Sequence, residues 1–366
     1  MKAAVLRGVR DIEITEVPQP EPVGVDSTLV RMDAVGVCGS DVLRFGVGKG
    51  YGFPLVLGHE MVATLVEDSP SGRHKAGARV ALFPCIPRPE DPMTEIGEFA
   101  LGTEYDYFGS RRDGGLQEYL RVPERNLFPL RDDMSLIEGA LVEPAGVALH
   151  AVRKAPITPN ASALVIGAGP IGLFAAQWLR VLGATRVIVA DIDGHKRALA
   201  DELGFETIDA GAGPSDQQVL EATDGRGVDI AVEASGLALT FLQAIGAAAH
   251  SGHVILLGDL SDDAVLSKEA VSRILRRELV LHGTWNAKIT PHGHSEWDMV
   301  IAHLGRTVIG TDLVSHIVDM ADAQSTFTAL ADRARWSNKT IFAVSDAARA
   351  EAAGVLAGSF SAGVTR

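Results

Sequence analysis

The sequence predicts an α/β protein in which a doubly wound parallel sheet follows a β-rich region. The first observation is a change near Pro156, where short strand patterns give way to a regular alternation of strands and helices. The second is the stretch 161–191, in which an apolar strand pattern breaks at a glycine and continues as a helix and a second strand. Such an alternation is typical of a parallel sheet with helices on both faces.

Residues 1–152 are predicted to be rich in strands. Short apolar runs occur at 28–32, 61–66 and 79–83, and each is flanked by glycine, proline or aspartate. Many short strands separated by turn residues indicate a barrel-like or sandwich-like domain.

The residues that follow carry the strand and helix patterns of the parallel sheet. The predicted strands are 163–166, 187–190, 229–232 and 253–257, and the predicted helices are 170–182, 195–204 and 237–249. Beyond residue 285, the pattern predicts a helix at 296–304 and a strand at 339–344. The Ala/Gly/Ser-rich stretch 346–366 has weak periodicity and is predicted to be a poorly ordered tail.

Composition and charge exclude several classes of partner. The 366 residues carry a formal net charge of −14 without any basic cluster, so neither nucleic acid nor an anionic membrane surface is expected to bind. No apolar stretch approaches the roughly 18 residues of a membrane span, and the N-terminus lacks the pattern of a signal peptide. We therefore expect a cytoplasmic protein whose two cysteines, Cys38 and Cys85, are reduced.

Three glycines, Gly167, Gly169 and Gly172, have the G-x-G-x-x-G spacing of a dinucleotide-binding loop. The first permits a tight turn, the second lets a pyrophosphate approach the backbone, and the third lets the helix pack closely on the strand. Asp191 follows at the end of the second strand, where a carboxylate binds the adenosine ribose and favours NAD over NADP. The predicted cofactor-binding residues are Gly167, Gly169, Pro170, Ile171, Gly172, Asp191, Lys196, Leu257 and Gly258.

Four residues of the first region have the side chains that catalytic zinc uses. Cys38 follows one apolar run, His59 and Glu60 follow another, and Glu143 lies in LVEPAGVALH. A thiolate, an imidazole and a carboxylate are common ligands of a zinc ion that keeps one position open for water or substrate. Each residue alone has an ordinary structural explanation, but their combination upstream of a dinucleotide loop indicates a zinc enzyme.

Together these segments resemble the zinc-containing medium-chain dehydrogenase/reductase family. The similar segments extend over nearly the whole chain and include VGVCGSD, PLVLGHE, GARV, GGLQEY, VEPAGVALHA and VIGAGPIG. The resemblance implies a Rossmann domain at 153–290, inserted into a GroES-like catalytic domain formed by 1–152 and 291–366.

The resemblance also assigns roles to the residues of the zinc site. A catalytic zinc is implied at Cys38 and His59, with one or both of Glu60 and Glu143 as a further ligand. In one branch of the family the later glutamate instead holds the water on the zinc. Ser40 resembles the hydroxyl that takes the proton of the alcohol.

Two departures from the family pattern change these expectations. Many members continue the proton relay with a histidine where this chain has Leu43, so the onward route must differ. Many members also bind a structural zinc with four closely spaced cysteines, but the corresponding segment 83–110 contains Cys85 alone. Since one thiolate cannot build a closed tetrahedral site, we predict one catalytic zinc per chain and no structural zinc.

Two segments, FGSRRDGGLQEY and ILRRELVLHGTW, resemble those of galactitol-1-phosphate and related sugar-alcohol dehydrogenases. In the first, Arg111 and Arg112 are candidates for holding a phosphate or several hydroxyls, although a salt-bridged surface turn would use the same residues. His292 and His294 lie in a Pro/Gly turn and are interpreted as solvent-exposed. The candidate residues of the polyol pocket are Trp285, Asn286 and Glu296.

The predicted function is the oxidation of a secondary alcohol of a polyol or sugar alcohol, with or without a phosphate, to a ketose, with NAD as the hydride acceptor. The alternatives are a zinc dehydrogenase of a simple alcohol, and a zinc-free NAD(P)-binding reductase or structural protein of the same fold. The resemblance further implies a homodimer or homotetramer that pairs through the edge of the Rossmann sheet near 276–283.

Overall fold

The computed structural model describes residues 1–23, 26–290 and 295–359, with the backbone alone for 356–359. The chain divides into two compact units. The first unit comprises 1–143, 288–306 and the chain from Gly310 onward, and the second comprises 144–287 and 307–309. No helix in the described ranges is long and apolar enough to cross a membrane.

The first unit begins with a series of short strands joined by turns. Its elements are, in chain order, β1 (Lys2–Gly8), β2 (Asp11–Glu16), β3 (Ser27–Gly36), α1 (Gly39–Val47), β4 (Leu55–Val56), β5 (Glu60–Leu65), β6 (Arg79–Leu82), β7 (Cys85–Pro87), α2 (Pro92–Glu95), β8 (Tyr105–Tyr107), β9 (Tyr119–Pro123), β10 (Leu127–Pro129) and α3 (Leu136–Gly139). The strands predicted at 28–32, 61–66 and 79–83 are confirmed as β3, β5 and β6.

The second unit alternates helices and strands. Its elements are α4 (Val142–Val152), β11 (Ser162–Ile166), α5 (Pro170–Val181), β12 (Arg186–Asp191), α6 (Gly194–Glu202), β13 (Glu206–Asp209), α7 (Ser215–Ala222), β14 (Val228–Glu233), α8 (Ala238–Ala247), β15 (Ala248–Leu256), α9 (Lys268–Arg276) and β16 (Val280–Gly283). The boundary between the two units falls within α4, earlier in the chain than the predicted boundary at residue 152. The chain passes from the first unit to the second along this one continuous helix.

All neighbouring strands of the second unit run parallel, in the order β13-β12-β11-β14-β15-β16. This is the 3-2-1-4-5-6 order of dinucleotide-binding folds, whose topological switch point lies between β11 and β14. Leu164 and Ile188 are fully buried, as expected for strands covered by helices on both faces. The predicted doubly wound sheet is confirmed. β13, α7 and α9 were not predicted, because short and partly exposed elements have weak hydrophobic periodicity.

The chain then returns to the first unit through α10 (Glu296–His303), β17 (Val314–Asp319), α11 (Ala323–Ala331), β18 (Lys339–Ala343) and α12 (Asp346–Ser359). The helix predicted at 296–304 and the strand predicted at 339–344 are confirmed. β18 pairs with β3 and with β17, so the central sheet has the order β10-β6-β5-β3-β18-β17, with β9 also paired to β3. Its apolar side chains form one core with those of β1 and α11.

The prediction of a poorly ordered tail is wrong for residues 346–359, which form α12. Alanine has the highest intrinsic helix propensity, and tertiary contacts hold the helix in place. The backbone N–H of Leu136 donates to Glu351 at 2.6 Å, and Ala348 is fully buried. The weak periodicity reflects a helix that buries one narrow face. Residues 360–366 lie outside the described residues.

Candidate metal centre and dinucleotide loop

Cys38, His59 and Glu60 lie together in the first unit. Their candidate ligand atoms are all within 4.8 Å of one another. Cys38 caps the N-terminus of α1 directly after β3, and His59 and Glu60 stand at the start of β5. Because Gly36 of β3 is paired with Glu60 of β5, adjacent strands bring these side chains together. An added Cβ at Gly36 would clash with the Glu60 carboxylate, which explains the glycine.

Asp41 is the acidic neighbour of His59. Its Oδ1 lies 3.5 Å from His59 Nδ1, and its Oδ2 accepts the backbone N–H of Cys38 at 3.2 Å. Burial alone would raise the pKa of Asp41, but the charges of His59 and Arg44 outweigh burial and hold this pKa below its usual range. Metal-binding histidines commonly present their other ring nitrogen to a carboxylate in this way.

The neighbours Asp41 and Cys38 favour a positive charge on His59 at this buried position. Burial alone would lower the pKa of His59, but Asp41 and Cys38 outweigh burial and raise this pKa well above its usual range. A divalent cation responds to the same attraction, and a thiolate, an imidazole and a carboxylate are the donors that zinc prefers. The residues present therefore fit a zinc ion.

Glu60 is paired with a lysine from the C-terminal part of the chain. Lys339 Nζ forms an ion pair with Glu60 Oε2, and both side chains are almost fully buried. Lys339 also donates to the backbone oxygen of Val37 at 3.0 Å. The pairing of β18 with β3, and of β3 with β5, brings the lysine to the glutamate. Sequence reasoning missed Lys339, whose signal was a lysine at the head of the strand-forming run KTIFA.

Glu143 lies beside this group and outside the set of three. It is buried at the start of α4, and its Oε1 accepts the hydroxyl of Tyr107 at 3.3 Å. Burial raises the pKa of Glu143 to about 7, and the Glu60 carboxylate adds to the rise although the charge of His59 opposes it. The structure thus brings both predicted glutamates to the same place with different partners.

Ser40 is in contact with Arg44, a residue that sequence reasoning missed. The Nη1 atom of Arg44 donates to Ser40 Oγ at 3.0 Å and lies 3.3 Å from Asp41 Oδ1. Leu43, at which the sequence predicted a departure from the family's proton relay, is about half exposed. The i, i+4 spacing of Ser40 and Arg44 at the start of a helix was the available signal.

The three glycines of the predicted loop have different surroundings. Gly167 has a φ of +105°, which few other residues adopt. An added Cβ at Gly172 would clash with the carbonyl oxygen of Gly167, so close packing of α5 requires glycine there. An added Cβ at Gly169 would have no atom of the protein within 4 Å, so a ligand can approach the backbone here. Pro170 and Ile171 form the first turn of α5, whose N-terminus faces the loop.

The carboxylate of Asp191 closes this loop at the end of β12. Its Oδ2 accepts the backbone N–H of Ala168 at 2.7 Å, and its Oδ1 accepts that of Asp193 at 2.8 Å. Arg197 is already paired with Asp209 at 2.9 Å, whereas Lys196 lies in the first turn of α6. The nearby arginine is therefore engaged within the protein.

Leu257 and Gly258 follow β15 at the same edge of the sheet. Both of their N–H groups donate to the backbone oxygen of Glu233 at 2.9 Å. The Glu233 carboxylate in turn accepts the N–H groups of Ser235 and Gly236. These contacts fix two strand-end turns beside the switch point, where open α/β sheets bind their ligands.

Arg111 and Arg112 lie in a turn after β8 and already have partners. The guanidinium of Arg111 stacks on the rings of Tyr105 and Tyr51 and donates to Tyr105 O at 2.6 Å and to Tyr51 Oη at 3.2 Å. Arg112 forms an ion pair with Asp106 at 3.1 Å. These contacts correspond to the surface-turn alternative for the pair.

The remaining predicted pocket residues belong to different units. Trp285 is exposed and Asn286 has a positive φ, both in the second unit. Glu296 is buried in the first unit, and its carboxylate accepts the N–H of Lys288 at 2.7 Å.

Cys85 is buried, and burial raises the pKa of its thiol to about 12. His292 and His294 lie outside the described residues.

Two family models match the chain. Residues 24–132 match the alcohol dehydrogenase GroES-like domain, and residues 170–306 match the zinc-binding dehydrogenase model. Galactitol 1-phosphate 5-dehydrogenase of Escherichia coli strain K12 is 34% identical over 296 residues, which cover 78% of this chain and 84% of that protein. Sorbitol dehydrogenase of Bos taurus is 31% identical over 333 residues, which cover 88% and 91%.

Solved structures agree with these similarities. The crystal structure of galactitol-1-phosphate dehydrogenase from Escherichia coli has a TM-score of 0.85 at 30% identity and covers 94% of this chain and 100% of that one. A zinc-binding dehydrogenase from Sinorhizobium meliloti 1021, bound to NADP, has a TM-score of 0.83 at 30% identity, with coverages of 93% and 98%. Similarity of this extent shows that the chain is an oxidoreductase belonging to the polyol-dehydrogenase branch of the zinc-containing medium-chain dehydrogenase/reductase family.

Proposed function

We propose that the protein oxidises a secondary alcohol of a polyol or sugar alcohol to a ketose, with NAD as the hydride acceptor and one catalytic zinc ion per chain. The observation that carries this proposal is the buried group of Cys38, His59 and Glu60. The relatives named galactitol 1-phosphate 5-dehydrogenase and sorbitol dehydrogenase support a polyol as substrate. In the reaction, a hydride leaves the carbinol carbon for C4 of the nicotinamide, and the hydroxyl proton is released.

Cys38, His59 and Glu60 would hold the zinc ion. Their mutual distances support this set over one in which Glu143 replaces Glu60. When bound, zinc supplies a Lewis acid that lowers the pKa of the substrate hydroxyl. Asp41 orients the His59 imidazole, and Lys339 fixes one oxygen of the Glu60 carboxylate. Glu143 accepts a hydrogen bond from the Tyr107 hydroxyl and would orient the hydroxyl group of the substrate at this site.

Ser40 is the proposed first acceptor of the substrate proton. Its Oγ already accepts an N–H from Arg44, which fixes the position of the hydroxyl and leaves its own hydrogen free to pass onward. Leu43 offers no titratable group for the next step, so we propose that water carries the proton to solvent.

Asp191 supports NAD over NADP. A carboxylate at the end of the second Rossmann strand binds the ribose hydroxyls and repels a 2′-phosphate. Arg197 is paired with Asp209. The 2′-phosphate of NADP would therefore need Lys196, the other cation of this turn. Equal kcat/KM values for NAD and NADP would refute the preference for NAD. The comparison is informative because one structurally similar dehydrogenase is bound to NADP.

Metal analysis combined with a substrate panel tests the proposed function. We expect about one zinc per chain, loss of activity on chelation, and NADH formation with polyols or their phosphates but poor activity with ethanol. A metal-free protein that keeps full activity would favour a zinc-free reductase instead. Two zinc ions per chain would contradict the single-site proposal, and preference for simple alcohols would overturn the substrate class.

A further inference from the structure

We propose that His253 and His282 form a proton-sensitive link between β15 and β16, so that mild acid loosens the edge strand of the parallel sheet. This histidine pair lies in the second unit, apart from the candidate metal centre. The inference goes beyond the proposed polyol dehydrogenase function and depends on neither its substrate nor its metal.

The two imidazole rings are in direct contact across adjacent strands. His253 Nδ1 lies 2.9 Å from His282 Nε2, and the ring centroids are 5.2 Å apart in a stacked arrangement. In the strand register His282 is paired with Ile255, two residues beyond His253, so the contact runs diagonally from one strand to the other. A hydrogen bond between two imidazoles needs one nitrogen to donate and the other to accept. The bond therefore requires that at least one of the two rings is neutral.

The histidine pair lies among apolar side chains. Val254 and Leu281, the chain neighbours of the two histidines, belong to the core that is formed with α8. Because side chains alternate between the faces of a strand, the two rings lie on the opposite face. There the strand register places Ile255 and, on β14, Ile230 beside them. Both rings are only partly exposed, and such surroundings disfavour a charged ring.

The charged neighbour of the histidine pair also opposes protonation. Burial lowers the pKa of His253. Burial, the charge of His253 and the charge of Lys154, which follows α4, together lower the pKa of His282. No carboxylate in the described ranges forms an ion pair with either ring. Protonation of both rings would thus bring three positive charges together without a compensating anion.

The direction of the pH effect follows from these lowered pKa values. A histidine of the unfolded chain takes up its proton near pH 6.5, whereas the folded histidine pair takes up its protons only at lower pH. The stability that the pair contributes is therefore fully present above about pH 6.5 and is lost as the pH falls below it. β16 is the last strand of the sheet and pairs with β15, so this loss falls first on β16.

The position of β16 connects this effect to the predicted cofactor site. Gly283, the last residue of β16, is paired with Leu256, which immediately precedes the predicted cofactor residues Leu257 and Gly258. Open α/β sheets bind their ligands at the carboxyl ends of their strands. Loosening of β16 would therefore remove the strand that supports this edge of the sheet.

Hydrogen exchange of the full-length protein at pH 7.5 and pH 5.5, corrected for intrinsic exchange rates, tests the inference. In wild type we expect the protection of the β16 amides to fall about 10-fold more than that of the β11 amides. The double variant His253→Gln, His282→Gln should lose no more protection in β16 than in β11, because neither ring is left to take up a proton. Equal pH responses of β16 in wild type and in the double variant would overturn the inference.

His250→Gln is the matched control, because His250 is an exposed histidine of the same strand β15. It should keep the pH response of β16 that wild type shows. If His250→Gln abolishes this response as the double variant does, the assignment to the contact between His253 and His282 is wrong.

NMR titration of the histidine rings provides a second test that does not require the double variant to fold. The signal that disappears in each single variant, His253→Gln or His282→Gln, identifies that ring. We expect the pKa of His282 to lie below its usual range in wild type and to rise in His253→Gln, which removes the neighbouring charge. A pKa of His282 that His253→Gln leaves unchanged would refute the coupling of the two rings.

Discussion

At the scale of single residues, Lys339 balances the charge of the candidate zinc site. It reaches Glu60 in a buried ion pair and is held in place by the backbone oxygen of Val37. Without this lysine, a metal-free protein would bury the Glu60 carboxylate beside Glu143 with one positive charge fewer. Removing one partner of a buried ion pair is far more costly than removing an exposed one.

We therefore predict that Lys339→Met lowers the free energy of unfolding of the metal-free protein by about 3–5 kcal/mol. Zinc should reduce this loss, because the ion supplies positive charge next to Glu60. Urea unfolding with and without zinc measures both effects. Lys75→Met removes an exposed pair with Asp68 and should cost less than about 1 kcal/mol. A Lys339→Met protein as stable as the Lys75→Met protein would contradict the role of the ion pair.

A second prediction at this scale concerns the pH dependence of the metal-free protein. Burial raises the pKa of Glu143 from 4.5 to about 7, so the folded protein holds this proton more tightly than the unfolded chain. Stability is therefore lost as the pH rises through this interval and then stays constant. We expect Glu143→Gln, which cannot ionise, to gain stability relative to wild type between these two pH values.

Unfolding experiments at several pH values in the presence of a chelator check this sign. Glu13→Gln is the control, because Glu13 is exposed and paired with Arg7 at the surface. Its stability difference from wild type should vary little with pH. A difference between Glu143→Gln and wild type that is flat, or that falls with rising pH, would show that the Glu143 proton is not held by the fold.

At the scale of elements, α1 joins the functions that the sequence suggested separately. Its N-cap residue is Cys38, its first turn contains Ser40 and Asp41, and Arg44 follows one turn later. The i, i+3 and i, i+4 spacing of a helix explains why Arg44 contacts both Asp41 and Ser40. One short helix thus carries a candidate zinc ligand, the carboxylate beside His59, the proposed proton acceptor and the arginine that contacts both of the last two.

The junction between β11 and α5 gives a third prediction. Gly172→Ala should destabilise the protein by about 3 kcal/mol, because its Cβ would clash with the Gly167 carbonyl oxygen in the packed junction. Gly169→Ala should cost less than about 1 kcal/mol, since its φ of −68° suits alanine and its Cβ would point into open space.

The two variants should separate folding from cofactor binding. If the backbone at Gly169 faces the cofactor phosphates, Gly169→Ala weakens NADH binding at least about 10-fold while the fold stays intact. Thermal unfolding and NADH fluorescence titration measure the two effects. Unchanged NADH affinity in Gly169→Ala would argue against the assigned position of the pyrophosphate.

At the scale of the whole molecule, β16 is the edge strand of the parallel sheet, paired with β15. Exposed apolar side chains lie on this strand and on the preceding helix α9, namely Val271, Leu275 and Val280. Exposed edges and apolar patches favour association with another chain. We propose that two copies associate along this edge, as the family resemblance suggests.

The prediction is a dimer or tetramer whose mass falls to that of a monomer in the double variant Leu275→Lys, Val280→Lys. Light scattering after size-exclusion chromatography measures the mass. Val9→Lys and Val47→Lys, which alter exposed apolar residues of the first unit, are controls that should keep the oligomer. A monomeric wild-type protein, or an oligomer that survives the double variant, would contradict pairing through β16.

Features that depend on local pattern could be predicted from the sequence. The strand–helix alternation after Pro156, the G-x-G-x-x-G spacing and the side chains of the candidate zinc site could all be identified in it. They were legible because periodicity and motif spacing are short-range properties of the chain. The alanine-rich C-terminal segment marks the limit of that reasoning, since burial of Ala348 and the contact between Leu136 and Glu351 hold α12.

Contacts between residues that are distant in the sequence depend on the tertiary fold. The lysine beside Glu60 arrives because β18 inserts between β3 and β17, a sheet order that no local pattern encodes. The partners of Arg111 and Arg112 likewise depend on the folded turn. Residue types suggest a chemistry, but the pairing of charges and the burial of donors are long-range outcomes of chain topology.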